Sequence, residues 1–229
     1  MVLPASGYRT MPWKNGGGLT HEIAVDPPDA GIDGRPFDWR LSLAELADHN
    51  DFSRFPGIDR TLVLLSGGPM TLHIDATPPR RLQPLDTVVF RGESAVRCTL
   101  DGSGARDLNV MVARGRLRAD VEVLRLQPGA RHAHDVDSAA VVLVYVATGL
   151  LAVKVEGDAE GMEAAAHVAA HGTWRCDAPT RRIALQAVQD SVAIVAVLSP
   201  VGRHADAQLD ASPRSPRSTR STRSTKGRA

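Results

Sequence analysis

Apolar and polar residues alternate along most of this chain in short runs, and glycine, proline or aspartate interrupts them about every ten residues. Period-two alternation between such breaks predicts β-strands. HEIAV, FDWRLSLA, TLVLLSGG, MTLHI, AVRCTL and DLNVMVA carry the pattern in the first half; VEVLRL, AAVVLVYVA, LLAVKVE, HVAAHG, RRIALQAV and SVAIVAVL carry it in the second. LQPLDTVVFRGE adds a proline-led turn, a short strand and a glycine turn, and only DAEGMEAAA suggests a helix. Regular short strands with little helix predict an all-β sandwich or barrel, and the repeated rhythm predicts two such units in tandem. With the join near Arg114 to Asp120, the units are residues 1–116 and 117–202. From Arg203 the alternation stops, and the Ser/Thr/Arg/Pro repeats of 203–229 predict a disordered tail.

One strand breaks the usual sorting. In FDWRLSLA the residues Trp39, Leu41 and Leu43 share one face, and Arg40 and Ser42 share the other with no apolar partner. Turned outward, that second face is ordinary solvated surface; turned into a barrel, it lines a cavity. Pattern alone leaves both open.

A second irregular stretch precedes it, MPWKNGGGLTHE from Met11 to Glu22. Gly16, Gly17 and Gly18 permit backbone conformations and close approaches closed to other residues, at an entropic cost that calls for a reason. Successive glycine N–H groups can form an anion-binding nest, Lys14 adds a cation, and Thr20 and Glu22 fall on alternate positions of the strand that follows. A polar-ligand loop and a plain connector both fit. Neither the P-loop nor the dinucleotide fingerprint is present.

Composition narrows the class. No apolar run reaches the roughly 18 residues of a membrane span, and no signal-peptide pattern opens the chain, so a cytoplasmic location is expected. The two cysteines, Cys98 and Cys176, are not in a Cys-x-x-Cys arrangement and predict reduced thiols. The formal charge of +1 is uneven: seven of the 27 Lys/Arg and two of the 26 Asp/Glu lie in 203–229, leaving the body at −4. The tail lacks aromatics to stack on bases, so no specific nucleic-acid partner is expected. No Ser-His-Asp or Gly-x-Ser-x-Gly arrangement appears, and Glu22 with Glu93 is the remaining acid/base pair.

The strand rhythm resembles that of cupins, small barrels whose familiar members hold a metal with a His-x-His, a Glu and a later His. Arg60, followed by six residues and Gly67, stands where the cupin carboxylate would be. In the second half His132 and His134 make a His-x-His, but the corresponding position before Gly149 is Val142. With no third ligand apparent, the pair is expected to be an exposed loop feature, and no metal or other cofactor is expected.

More specifically, MPWKNGGGLTHEIA, FDWRLSLAEL, FSRFPGIDR with the following TLVLLSGG, VVFRGE and DLNVMVARG resemble the HutD/Ves family, tandem cupins encoded in bacterial histidine-utilisation operons. The resemblance covers the first half almost completely and the second half weakly. It implies a site built from Lys14, Asn15, Gly16, Gly17, Gly18, Thr20, Glu22, Arg40, Ser53, Arg60, Glu93 and Asn109, to which the face shared with Arg40 adds Ser42. The function it implies is non-catalytic binding of a small carboxylate-bearing metabolite, such as urocanate, formiminoglutamate or formylglutamate, that tunes histidine utilisation. No catalytic residue is assigned, and a homodimer is left open. The alternative is a metal-independent cupin enzyme using Glu93 or Glu22 as base.

Overall fold

A computed structural model describes residues 1–13, 17–28, 30, 35–47, 49–102, 104–136, 141–156, 165–177 and 182–202. In chain order the strands of its first half are β1 (Val2–Leu3), β2 (Arg9–Pro12), β3 (Gly18–Asp26), β4 (Trp39–Leu46), β5 (Asn50–Asp51), β6 (Ile58–Gly67), β7 (Met70–Ile74), β8 (Arg80–Leu82), β9 (Thr87–Arg91), β10 (Val96–Leu100) and β11 (Ala105–Ala113). Those of the second half are β12 (Leu117–Leu126), β13 (Arg131–Asp135), β14 (Val141–Thr148), β15 (Leu150–Glu156), β16 (Ala166–Ala169), β17 (Thr173–Cys176), β18 (Arg182–Ala187) and β19 (Ser191–Pro200). The 3-10 turn Ala5–Gly7 is the one helical element among the described residues. The helix expected at DAEGMEAAA lies outside them except at its end, where Ala166 begins β16; the tail 203–229 also lies outside.

Four antiparallel sheets make two barrels. In the first, the sheet β2-β3-β4-β11-β6-β9 faces the sheet β5-β10-β7-β8. Leu62, Leu64, Met70, Leu72, Leu82 and Cys98 fill the space between. In the second, β1-β17-β14-β19-β12 faces β13-β18-β15-β16 around Val142, Val144, Leu151, Val153, Ile183 and Leu185. Each fully buried side chain of this kind contributes about 1.5–3 kcal/mol. The first strand of the chain thus belongs to the far barrel: Val2 pairs with Trp174 and Leu3 with Thr173. Tyr8 fastens this crossing, its hydroxyl donating to the His171 carbonyl at 2.7 Å and lying 2.9 Å from Thr173 Oγ1.

The two barrels pack back to back. Trp39, Leu41, Leu43, Leu108 and Val110 from the large first sheet meet Leu143, Tyr145, Ile194, Ala196 and Leu198 from the second barrel. This interface settles the ambiguity of FDWRLSLA. The apolar face of β4 is taken up by the neighbouring barrel, so Arg40 and Ser42 point into the interior of their own barrel, alongside Ala44 and Leu46 of its core. A sheet covered on both faces loses the usual rule of polar outside and apolar inside.

Gly18 shows why glycine is needed at the start of β3. A Cβ there would lie 2.5 Å from the Glu45 carbonyl and 3.2 Å from the Trp13 ring. At Gly17 it would run into the Asn50 side chain. Close approach, rather than a left-handed backbone, accounts for these two glycines.

Candidate functional site

Strand register lays the interior polar residues of the first barrel out in rows. Arg40 and Arg60 both pair with Met111, one from β4 and the other from β6, on either side of β11. In the adjoining row Ser42 sits between Glu22 of β3 and Asn109 of β11. Asp107 follows two residues before Asn109 on the same face. All are nearly or wholly withdrawn from solvent: Arg40 is 3% exposed, Arg60 6% and Asp107 0%.

The contacts form two linked groups. Glu22 accepts from Arg40 Nε at 2.7 Å and pairs with Arg9 at 2.7 Å through its other oxygen. Arg60 donates to Asn109 Oδ1 at 2.7 Å and to the Ser53 carbonyl at 3.3 Å, and Asn109 donates to Asp107 at 2.5 Å. Three rings hold the Arg60 guanidinium, with Phe90, Phe52 and Phe55 centroids 5.0, 5.3 and 5.6 Å away. A planar guanidinium can stack on such rings while its edge donates hydrogen bonds, which an ammonium cannot do as well.

Three buried atoms of this cluster have no hydrogen-bond partner among the described residues: Arg40 Nη2, Arg60 Nε and Asp107 Oδ2. An unsatisfied buried donor costs about 1–3 kcal/mol, so two orphaned guanidinium donors facing one interior call for a partner. Burial pushes the Asp107 carboxyl up to about 7, while the Arg60 charge and the Asn109 hydrogen bond pull it down. Burial likewise pulls Arg60 down to about 10, the Asp107 charge opposing and Arg40 reinforcing that shift, so Arg60 stays charged at neutral pH. The upward shift of Asp107 weakens the negative charge set against Arg40 and Arg60. The interior is suited to an anion.

Of the residues expected at the site, Glu22, Arg40, Ser42, Arg60 and Asn109 come together, with Ser53 contributing its backbone carbonyl. Thr20 accepts from Trp13 Nε1 at 2.8 Å, and Trp13 meets Phe52 edge-on, so Thr20 supports one end of the cluster. Gly17 presents its carbonyl to Asn50 at 2.9 Å and to the Ala47 N–H at 3.2 Å. Lys14, Asn15 and Gly16 lie outside the described residues. Glu93 is held elsewhere: Arg114 grips it through two bonds of 2.7 and 2.9 Å while also reaching Asp59 at 2.7 Å. That grip pulls the Glu93 carboxyl down to about 2. Asp107, Arg9 and the phenylalanine box were missed in the sequence; the two-residue spacing of Asp107 and Asn109 along one strand was the available signal.

The second barrel corrects one expectation. His132 and His134 are half-buried on strand β13 rather than on an exposed loop, and their missing third neighbour is Glu122 of β12. One donor atom from each of the three residues lies within 4.8 Å of the others. Spacing along the sequence could not reveal Glu122, because it precedes the His-x-His on another sheet.

The duplicated antiparallel barrel, with buried polar residues in its first half, defines an all-β tandem cupin fold. The chain belongs to the HutD family, whose model matches residues 5–195. It is 41% identical over 156 residues, 68% of this chain and 78% of the relative, to an uncharacterized 21.2 kDa protein in the hutC 3' region of Pseudomonas putida. It is 40% identical over 119 residues to protein Ves of Citrobacter koseri, covering 50% of this chain and 60% of that protein. Among solved structures, HutD from Pseudomonas fluorescens SBW25, determined in a formate condition, superposes with a TM-score of 0.69 at 29% identity, covering 88% of this chain and 99% of that one. No helix among the described residues is long and apolar enough to cross a membrane.

Proposed function

We propose that the first barrel binds a small carboxylate-bearing metabolite between Arg40 and Arg60, and that this binding tunes histidine utilisation in the cytoplasm without turnover. The observation that carries the reading is the pair of orphaned donors, Arg40 Nη2 and Arg60 Nε, buried in one interior beside Ser42 and Asn109. A carboxylate supplies the acceptors that both donors lack. The P. fluorescens relative was determined in a formate condition, which makes formate a simple carboxylate with which to probe the site. Urocanate, formiminoglutamate and formylglutamate carry such a group and belong to the pathway that the family resemblance implies. Glu22 and Glu93 are poorly placed to act as bases, since arginines hold both and the second is pulled down to about 2.

Calorimetric titration with formate and the three pathway acids tests this. Wild type should bind at least one of them. Arg60→Lys keeps the charge but loses the planar fork, so affinity should fall by about 1.5–3 kcal/mol while the fold survives. Equal binding by both proteins removes the site from the first barrel. One feature favours the enzymatic alternative: the Asp107 carboxyl at about 7 is poised for proton transfer. Turnover of a pathway intermediate by wild type and its loss in Asp107→Asn would establish that alternative.

A further inference from the structure

The two barrels repeat one strand plan, and their sites correspond position by position. The run β4-β11-β6-β9 of the first matches β12-β19-β14-β17 of the second, and β5-β10-β7-β8 matches β13-β18-β15-β16. Met111 lies between Arg40 and Arg60 as Val197 lies between Asp120 and Val142. Asn109 lies between Ser42 and Leu62 as Val195 lies between Glu122 and Val144. Asp120 and Glu122 therefore hold the places of Arg40 and Ser42, so the second barrel presents carboxylates where the first presents a cation and a hydroxyl. His132 and His134 stand opposite them on β13, across from the core residues Leu185 and Ile183 of β18.

We propose that Glu122, His132 and His134 bind one divalent transition-metal ion, zinc or a first-row neighbour. Glu122 Oε2 is 3.6 Å from His132 Nε2 and 3.4 Å from His134 Nδ1. These separations exceed an ordinary N–H···O bond. They approach the donor–donor edge of roughly 3.4 Å that four ligands at about 2.0–2.1 Å make around a tetrahedral ion. His132 Nε2 is buried without a hydrogen-bond partner, a lone pair or N–H left idle unless something joins the three residues. Two imidazoles and one carboxylate favour a borderline transition ion over calcium or magnesium, whose ligands are oxygens. A cavity of ≈ 190 Å³ lined by Asp120, His134, Asp135 and Ser199 adjoins the group and leaves room for water at the remaining coordination positions. The carboxylate comes from the strand preceding the His-x-His, so the set differs from the cupin order of His-x-His followed by Glu.

The test uses the full-length, untagged chain after chelation, titrated with Zn²⁺ by calorimetry and with Co²⁺ by visible absorption. Wild type should take up one equivalent and develop the d–d bands of coordinated Co²⁺. Glu122→Gln and His134→Ala should each weaken uptake by at least about tenfold. Their metal-free melting temperatures should stay near wild type, while the rise in melting temperature on adding Zn²⁺ should disappear. Arg60→Lys should bind the metal as wild type does, which separates this site from the carboxylate site. No uptake by wild type at about 100 μM metal, or uptake unchanged in both variants, overturns the proposal.

Discussion

The first barrel holds charges in an interior where the second, built on the same strand plan, holds valines. Arg60 and Val142 occupy equivalent places, as do Asn109 and Val195. The difference turns on what surrounds each position. Three phenylalanines and an asparagine accommodate the guanidinium of Arg60, whereas Val142 belongs to an apolar core cluster with Val144, Val197 and Ile183. A buried cation without such support is among the most destabilising changes a core can suffer, so duplicated barrels can diverge in interior chemistry only when several neighbours change together. The first barrel keeps charged side chains within its interior, and the second packs the matching places with valines. The second carries its carboxylates Asp120 and Glu122 on β12, the last strand of its sheet among the described residues.

The largest expected effect is on the packed barrel. Leu151 is fully buried within the second core, and Leu151→Ala should cost about 2–5 kcal/mol of stability through lost burial and the cavity left behind. Carboxylate affinity, measured well below the melting point, should stay at the wild-type value. A parallel loss of affinity would mean that the second barrel shapes the first barrel's interior through the shared interface.

The next effect separates the two interiors by pH. Asp107 is raised from its ordinary value to about 7, so between about pH 4 and 7 the folded protein holds a proton that the unfolded chain has released. Stability from this group is complete below about pH 4 and is lost as pH rises through 7, by up to about 1.4 kcal/mol per unit. Asp107→Asn should flatten that part of the profile, read from denaturant midpoints at pH 5, 6, 7 and 8. Protonation also removes a negative charge beside Arg60, so formate should bind more tightly to wild type at pH 6 than at pH 8, and Asp107→Asn should lose the difference. A pH-independent wild-type protein would show that Asp107 titrates as an ordinary carboxylate.

Much of this was readable in the sequence, because alternation and turn residues are local. Those signals found β3, β4, β6, β7, β10 and β11 and the principal strands of the second half. Short strands were missed: β1 and β5 are two residues each, too short for a period to show, and β17 is only the four residues TWRC. The inward direction of Arg40 was undecidable for a different reason. It depends on a second barrel covering Leu41 and Leu43, and no local pattern encodes that docking. Glu122 beside His132 and His134 was hidden for the same cause, since strands of two sheets bring them together.

Glu93 gives the smallest expected effect and the sharpest test of residues carried over by family resemblance. The VVFRGE motif places it with Arg40 and Arg60, yet its side chain lies at the solvent-facing end of β9 in an ion pair with Arg114. Arg114 also binds Asp59 and the Ile58 carbonyl, so it ties the loop after β9 to the start of β6, the strand that carries Arg60. On this geometry the motif serves the frame around the site. Glu93→Gln retains hydrogen-bonding capacity but gives up the charge, and formate affinity should remain within about twofold of wild type, as for a surface substitution. The Arg114 pair should instead report through salt, with the small stability difference between Glu93→Gln and wild type shrinking as ionic strength rises. A tenfold loss of affinity with an unchanged melting temperature would bring Glu93 into contact with the ligand. The site would then extend from the paired arginines to the rim of the barrel.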